Sequence, residues 1–141
     1  MIAASLISCS NKEEADRFMK RAVTMPNGKT IYVEMAVEYS EMLRGMMFRD
    51  SLAEDSGMLF LHNKMGKHSY WMFQVKIPLD MVWIDKSKTV VEVLAKVPPC
   101  PSSRPADCPM FGGNQEAQFV LELAAGMAQK YGVTVGSKID F

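Results

Sequence analysis

The chain lacks an excess of either charge: Lys plus Arg and Asp plus Glu both number 16 in 141 residues. That removes the basic surplus a nucleic-acid binder needs to displace counterions. It equally removes a polybasic attraction to an anionic membrane surface. Histidine is scarce, with only His62 and His68, and there are three cysteines, Cys9, Cys100 and Cys108. No Cys-x-x-Cys pair occurs and the histidines lie far from the cysteines in sequence, which speaks against a thiolate zinc site. A Gly-x-Ser-x-Gly elbow, a His-Glu-x-x-His helix and a phosphate-binding loop are all missing. No motif calls for a cofactor or a resident metal. With 48% hydrophobic and 23% charged residues, the composition is that of a globular domain, not a disordered tail, a collagen-like rod or a polytopic membrane protein.

What is present begins at the N-terminus. Met1 to Ser8 are apolar or small, and Leu6-Ile7-Ser8-Cys9 resembles a bacterial lipobox, whose cysteine becomes the lipidated first residue. The basic region of a signal peptide is missing, so the true start is expected upstream of Met1; the alternative is a frayed, mildly apolar end. The expected organisation is a signal or lipobox remnant over 1–9, a polar tether over 10–21 and one globular domain over 22–141. This predicts a lipid-anchored protein on the periplasmic side of the cell envelope. With Cys9 lipidated, Cys100 and Cys108 remain as a pair around a turn-forming loop. A bridge there closes a small ring, worth about 2.5 kcal/mol in the chain-entropy model, and requires an oxidising compartment.

Within the domain, Pro26-Asn27-Gly28-Lys29 marks a hairpin turn, and 30–37 alternates as a half-buried strand. Ser40 is the expected N-cap of a short helix ending at Gly45. Further strands are expected at 57–61, 68–73, 79–84, 89–97 and 117–123, a helix over 124–131 closed by Gly132, and an edge strand near the C-terminus. Strands follow one another in hairpin order, so the fold class is α+β, mostly β: a small curled antiparallel sheet or partly open barrel with one or two short helices.

These pieces resemble the domain-of-unknown-function 192 family, small bacterial and archaeal proteins often carrying a signal sequence. The matching segments are Arg44-Gly45-Met46-Met47-Phe48-Arg49, Gly57-Met58-Leu59-Phe60, Trp71-Met72, Ile77-Pro78-Leu79-Asp80, and Val120-Leu121-Glu122-Leu123 with Gly126. The resemblance implies a compact, mostly β domain and assigns no activity. The chain departs from the family where a basic residue, Asn and Thr tend to follow Trp-Met; here Phe73, Gln74 and Val75 stand.

Candidate chemistry lies in charges placed among apolar neighbours. Arg44 and Arg49 bracket four mostly apolar residues, while Asp80 and Glu122 interrupt apolar runs, and such groups require partners when buried. The plain reading is a structural Arg–carboxylate pair. The functional reading is a non-enzymatic binding or accessory module, in which Arg44, Arg49, Trp71 and Asp80 bind a small polar or anionic ligand or a partner protein. A hydrolase-like alternative uses Asp80 or Glu122 as acid or base on an envelope polymer, with His68 assisting. A third alternative places Cu(I) on thioethers such as Met42 and Met46, since methionine numbers 13; the bland counterpart is that methionine fills irregular cores.

Overall fold

The computed structural model describes residues 18–141. Cys9, the lipobox and most of the expected tether lie outside the described residues. The tether's last two residues, Lys20 and Arg21, instead open strand β1 (Lys20–Thr24), and Phe18 before them is buried.

β1 and β2 (Thr30–Ala36) form the expected hairpin, in register Val23↔Ile31. Gly28 takes the left-handed conformation at φ +88°, and Asn27 Oδ1 accepts the Lys29 amide at 3.0 Å, the local bonding that favours Asn-Gly in such turns. Helix α1 (Tyr39–Arg44) follows. Its cap is not Ser40. The Glu41 carboxylate accepts the amides of Val37 and Glu38, both at 3.0 Å, satisfying donors just ahead of the first turn. Gly45 ends the helix at φ +46°, donating to the Glu41 carbonyl.

Then come β3 (Ser56–Gly66), β4 (Tyr70–Trp71), β5 (Leu79–Ile84), β6 (Val90–Val97), β7 (Met110–Phe111), β8 (Ala117–Ala124) and the single-turn helix α2 (Met127–Lys130). Six of the strands form one sheet in the order β1-β2-β3-β8-β5-β6, and β4 pairs β7 in a separate two-stranded piece. The fold is α+β and mostly β, as expected. Two details differ. The sheet is mixed, because β2 and β3 run parallel, joined by a crossover through α1. It also stays open, with β1 and β6 at its edges, each touched at one end by backbone hydrogen bonds from the C-terminal segment (Thr24 with Asp140, Val90 with Gly136 and Ser137).

Both faces of the sheet are covered, so it separates two cores. One holds Val33, Leu59, Val82 and Leu121 beneath α2 and the C-terminal segment. The other holds Met58, Phe60, Met81, Trp83 and Val120 beneath the segment around Met46 and Met72. This double cover explains why all six residues of β5 are buried: a central strand buried on both faces reads as a continuous apolar run. The shared register of β2, β3, β8 and β5 places Glu34, Met58, Glu122 and Met81 side by side in one row on the second face. Two carboxylates therefore flank Met58 on the face that α1 and β4 cover.

Candidate functional site

The first carboxylate of the row is spent on structure. Glu34, on β2, forms an ion pair with the Arg49 guanidinium, which also lies 5.8 Å from the centroid of the Phe18 ring. The plain reading of the sequence expects an Arg–carboxylate pair drawing on Asp80 or Glu122; the carboxylate that Arg49 meets is instead Glu34. Strict alternation along β2 set Glu34 among outward-facing residues; it is buried because the crossover segment folds back over that face.

The second carboxylate, Glu122, has a different setting. It is 4% exposed and opens into a small chamber of about 30 Å³ beneath α1 and β4. The roof comes from Met42, Met46 and Met47, and the walls from Phe60, Tyr70, Trp71 and Phe73. Among the described residues no hydrogen-bond donor is bonded to its carboxyl group. Burial pushes the Glu122 pKa up to about 8, against the lowering effect of the nearby Arg49 charge. Desolvation outweighs that charge, so the group is largely protonated at neutral pH.

Tyr70 is the neighbour that sequence reasoning missed. Its hydroxyl shares a 2.8 Å hydrogen bond with His62 Nε2, and its ring packs edge-on against Phe60 and Trp83. Burial, and secondarily the Glu122 charge, push its phenol well above the usual tyrosine range. His62 stacks on His68 with ring centroids 3.5 Å apart. Burial first and the His68 charge second lower the His62 pKa to about 4, leaving it neutral at physiological pH. Only the strand geometry brings positions 62, 68 and 70 together; nothing in their spacing announces it.

Beyond the chamber lies a wider hollow of about 320 Å³. Met42, Leu43, Tyr70 and Trp71 line both, so the two adjoin along α1 and β4. Tyr39, 80% exposed, and Met110, 57% exposed, add apolar surface to the outer hollow.

The four expected ligand residues part company. Arg44 and Trp71 line the chamber, and the Arg44 guanidinium lies 5.6 Å from the centroid of the Phe48 ring. Arg49 stands behind it, engaged with Glu34. Asp80 does not join them. Register pairs Asp80 with Leu123 and Met81 with Glu122, so the two carboxyl groups project from opposite faces of the sheet. Asp80 is fully buried and accepts the amides of Lys96 and Ala128, each at 2.8 Å. Its expected place beside the arginines is thus corrected: a buried carboxylate needs donors, and Asp80 finds them in the backbone. Cys100 and Cys108 form the expected disulfide, with Cα atoms 5.4 Å apart. Among the described residues no group of three or more His, Cys, Asp or Glu is placed to hold a metal ion.

The comparisons with known proteins agree with this architecture. The family DUF192, described as "Uncharacterized ACR, COG1430", matches residues 22–141. The chain belongs to that family. No curated protein matches the chain. Among solved structures, this DUF192 domain resembles a Sinorhizobium meliloti 1021 protein described as a "putative transcription regulator", at 28% identity and TM-score 0.76, covering 87% of this chain and 94% of that one. It also resembles a protein of unknown function from Novosphingobium aromaticivorans DSM 12444, at 28% identity and TM-score 0.73, covering 88% and 85%. The chamber lies inside the family's own segments: Arg44 to Met47, Phe60, Trp71 and Glu122 all fall in the motifs that carry the resemblance.

Proposed function

We propose that this DUF192 domain is a non-enzymatic binding module that admits the end of a small polar ligand between α1 and β4. The observation that carries the reading is Glu122. A carboxyl group buried among aromatic rings and thioethers without a hydrogen-bond partner is costly, and a perturbed acid in a cleft marks a functional-site candidate. A ligand that bonds to it recovers that cost. The hydrolase reading uses Asp80 or Glu122 as acid or base with His68 assisting; Asp80 and Glu122 project from opposite faces of the sheet, so they do not serve one cleft together. We also propose that the domain is held at the periplasmic face of the envelope by lipid on Cys9; the lipobox-like segment and the Cys100–Cys108 bridge, which suits an oxidising compartment, support this.

A panel of small neutral, anionic and cationic compounds, added to isotopically labelled protein, tests the pocket. At least one compound should shift the NMR signals of Tyr70 and Trp71, and Met47→Trp, which fills the roof, should abolish the shift while the spectrum stays dispersed. A panel that leaves both residues unmoved, or a shift that survives the blocking substitution, overturns the reading. For the anchor, a clickable fatty-acid label should enter the wild-type protein in cells and not Cys9→Ser; an unlabelled wild type refutes it.

A further inference from the structure

The large apolar side chains left in water are not spread evenly. Among the described residues eight are exposed, and six of these gather around α1: Met19, Val37, Tyr39, Leu43, Phe48 and Met110. Tyr39 and Leu43 stand four residues apart on one face of the helix, and Met110 borders the same outer hollow as they do. Val37 leads into α1, and Met19 lies beside it, its carbonyl accepting the Met35 amide at 2.8 Å. Phe48 is reached by the Arg44 guanidinium, 5.6 Å from its ring centroid. The acids on this side, Glu38 and Glu41, turn their carboxylates onto backbone amides of the helix cap. A clustered apolar surface of this kind marks a place where something binds.

The place where the chain enters the domain says what that is. Phe18 is buried, with its ring centroid 5.8 Å from the Arg49 guanidinium, and Arg49 follows Phe48 directly. The entry point therefore lies at the border of the apolar cluster. Eight residues, 10–17, separate Cys9 from Phe18. Fully extended, they reach at most about 30 Å, whereas a domain of this size is about 35 Å across. A lipid on Cys9 thus keeps the face around α1 nearer the bilayer than the opposite face.

We propose that the face around α1 rests on the lipid bilayer, with Tyr39, Leu43, Phe48 and Met110 at the boundary between head groups and acyl chains. The inference rests on the Cys9 anchor proposed above and adds the surface that the anchored domain turns to the membrane. Burying these side chains in the interface removes apolar area from water, and tyrosine suits that boundary because its ring is apolar and its hydroxyl stays wet. The contact need not be strong by itself. A short tether makes it intramolecular, so a weak affinity is multiplied by a high effective concentration. The attraction is apolar, in keeping with a chain of balanced charge, so it needs no anionic lipid. The outer hollow then opens at the lipid–water boundary.

The test couples the full chain through Cys9, the cysteine outside the Cys100–Cys108 bridge, to a maleimide lipid in vesicles of acyl-brominated phosphatidylcholine. Coupling in vitro makes the result independent of lipidation in cells. Bromine quenches indole emission on contact, so Leu43→Trp should lose at least about twice the fraction of emission that the wild type loses. Val135→Trp, exposed on the segment that covers the other side of the sheet, should match the wild type. High salt should change neither result. Adding Tyr39→Glu and Phe48→Glu to Leu43→Trp should return its quenching to the wild-type level; all three positions are exposed, so the fold tolerates the changes. Equal quenching at positions 43 and 135, or no added quenching at 43, overturns the inference and leaves the anchor standing. A dimer in solution that Leu43→Glu splits would likewise overturn it, with a second copy of the chain covering the face. If the fatty-acid label fails to enter the wild-type protein in cells, the anchor falls and this inference falls with it.

Discussion

Glu122 and His62 are both ionisable groups held neutral by burial, yet they tilt stability in opposite directions with pH. Glu122 titrates near 8 in the folded chain against an ordinary 4.5. As pH rises through that window the unfolded chain gives up its proton while the folded one keeps it, so stability falls. His62 titrates near 4 against an ordinary 6.5. Below 6.5 the unfolded chain takes up a proton that the folded one refuses, so stability rises with pH up to that value and is flat above it. The two slopes oppose each other between 4.5 and 6.5, and Glu122 acts alone from 6.5 to 8. Urea denaturation across that upper window should show a loss of roughly 1.4 kcal/mol per pH unit, and Glu122→Gln should flatten the curve. A flat wild-type curve would mean that Glu122 is already ionised in the native state. The odd placement of Glu122 was legible in Val120-Leu121-Glu122-Leu123. Its chamber was not, because the walls come from α1 and β4, distant in sequence and joined to Glu122 only by sheet register.

At the scale of elements, Asp80 shows how a strand, a bulge and a helix turn are tied at one point. The β5–β6 register shifts between Leu79 and Met81, and Lys96, opposite the shift, adopts φ +53°. The Lys96 amide turns to Asp80 Oδ1, while Oδ2 takes the Ala128 amide in α2. Asp80→Ala would leave both amides without these acceptors in a fully buried place, at a cost of roughly 2–5 kcal/mol. Asp80→Asn keeps one acceptor oxygen and should cost about half as much. A loss below about 1 kcal/mol for the alanine variant in denaturant titration would contradict this account. The sequence announced that Asp80 needs a partner but not which, since backbone amides exposed by a bulge leave no trace in residue type. Strand β5 itself was read to its ends, because a run between Pro78 and Asp85 that is apolar but for Asp80 suits a strand buried on both faces. The parallel β2–β3 pair escaped because hairpin order was assumed throughout, and a six-residue helix is a short crossover to recognise.

For the whole molecule, the two faces of the sheet are covered by different means, and this decides where a pocket can form. One face has α2 and the C-terminal segment laid over it. The other is covered by α1, loops and the two-residue strands β4 and β7, which pack less continuously and leave room above Glu122. Such a thin wall needs anchors. Trp83 donates its indole N–H to the His68 carbonyl at 2.7 Å, and Gly112 lies so close that a Cβ there would come within 2.2 Å of the Trp83 ring. The Cys100 amide donates to the Met72 carbonyl at 3.2 Å, so the disulfide loop is bonded directly to the residue after β4. Reducing Cys100–Cys108 should therefore act in two ways. Stability should fall by about 2.5 kcal/mol, from the freedom regained by the unfolded chain. The loss should also be felt unevenly: amide exchange in β4 and β7 should quicken under mild reduction while the central strands β3, β5 and β8 keep their protection. Binding to the pocket should weaken in parallel, because Tyr70 and Trp71 form its wall. Uniform acceleration over the whole sheet would show instead that the bridge supports global stability alone, and that the wall of the pocket is held by the sheet beneath it.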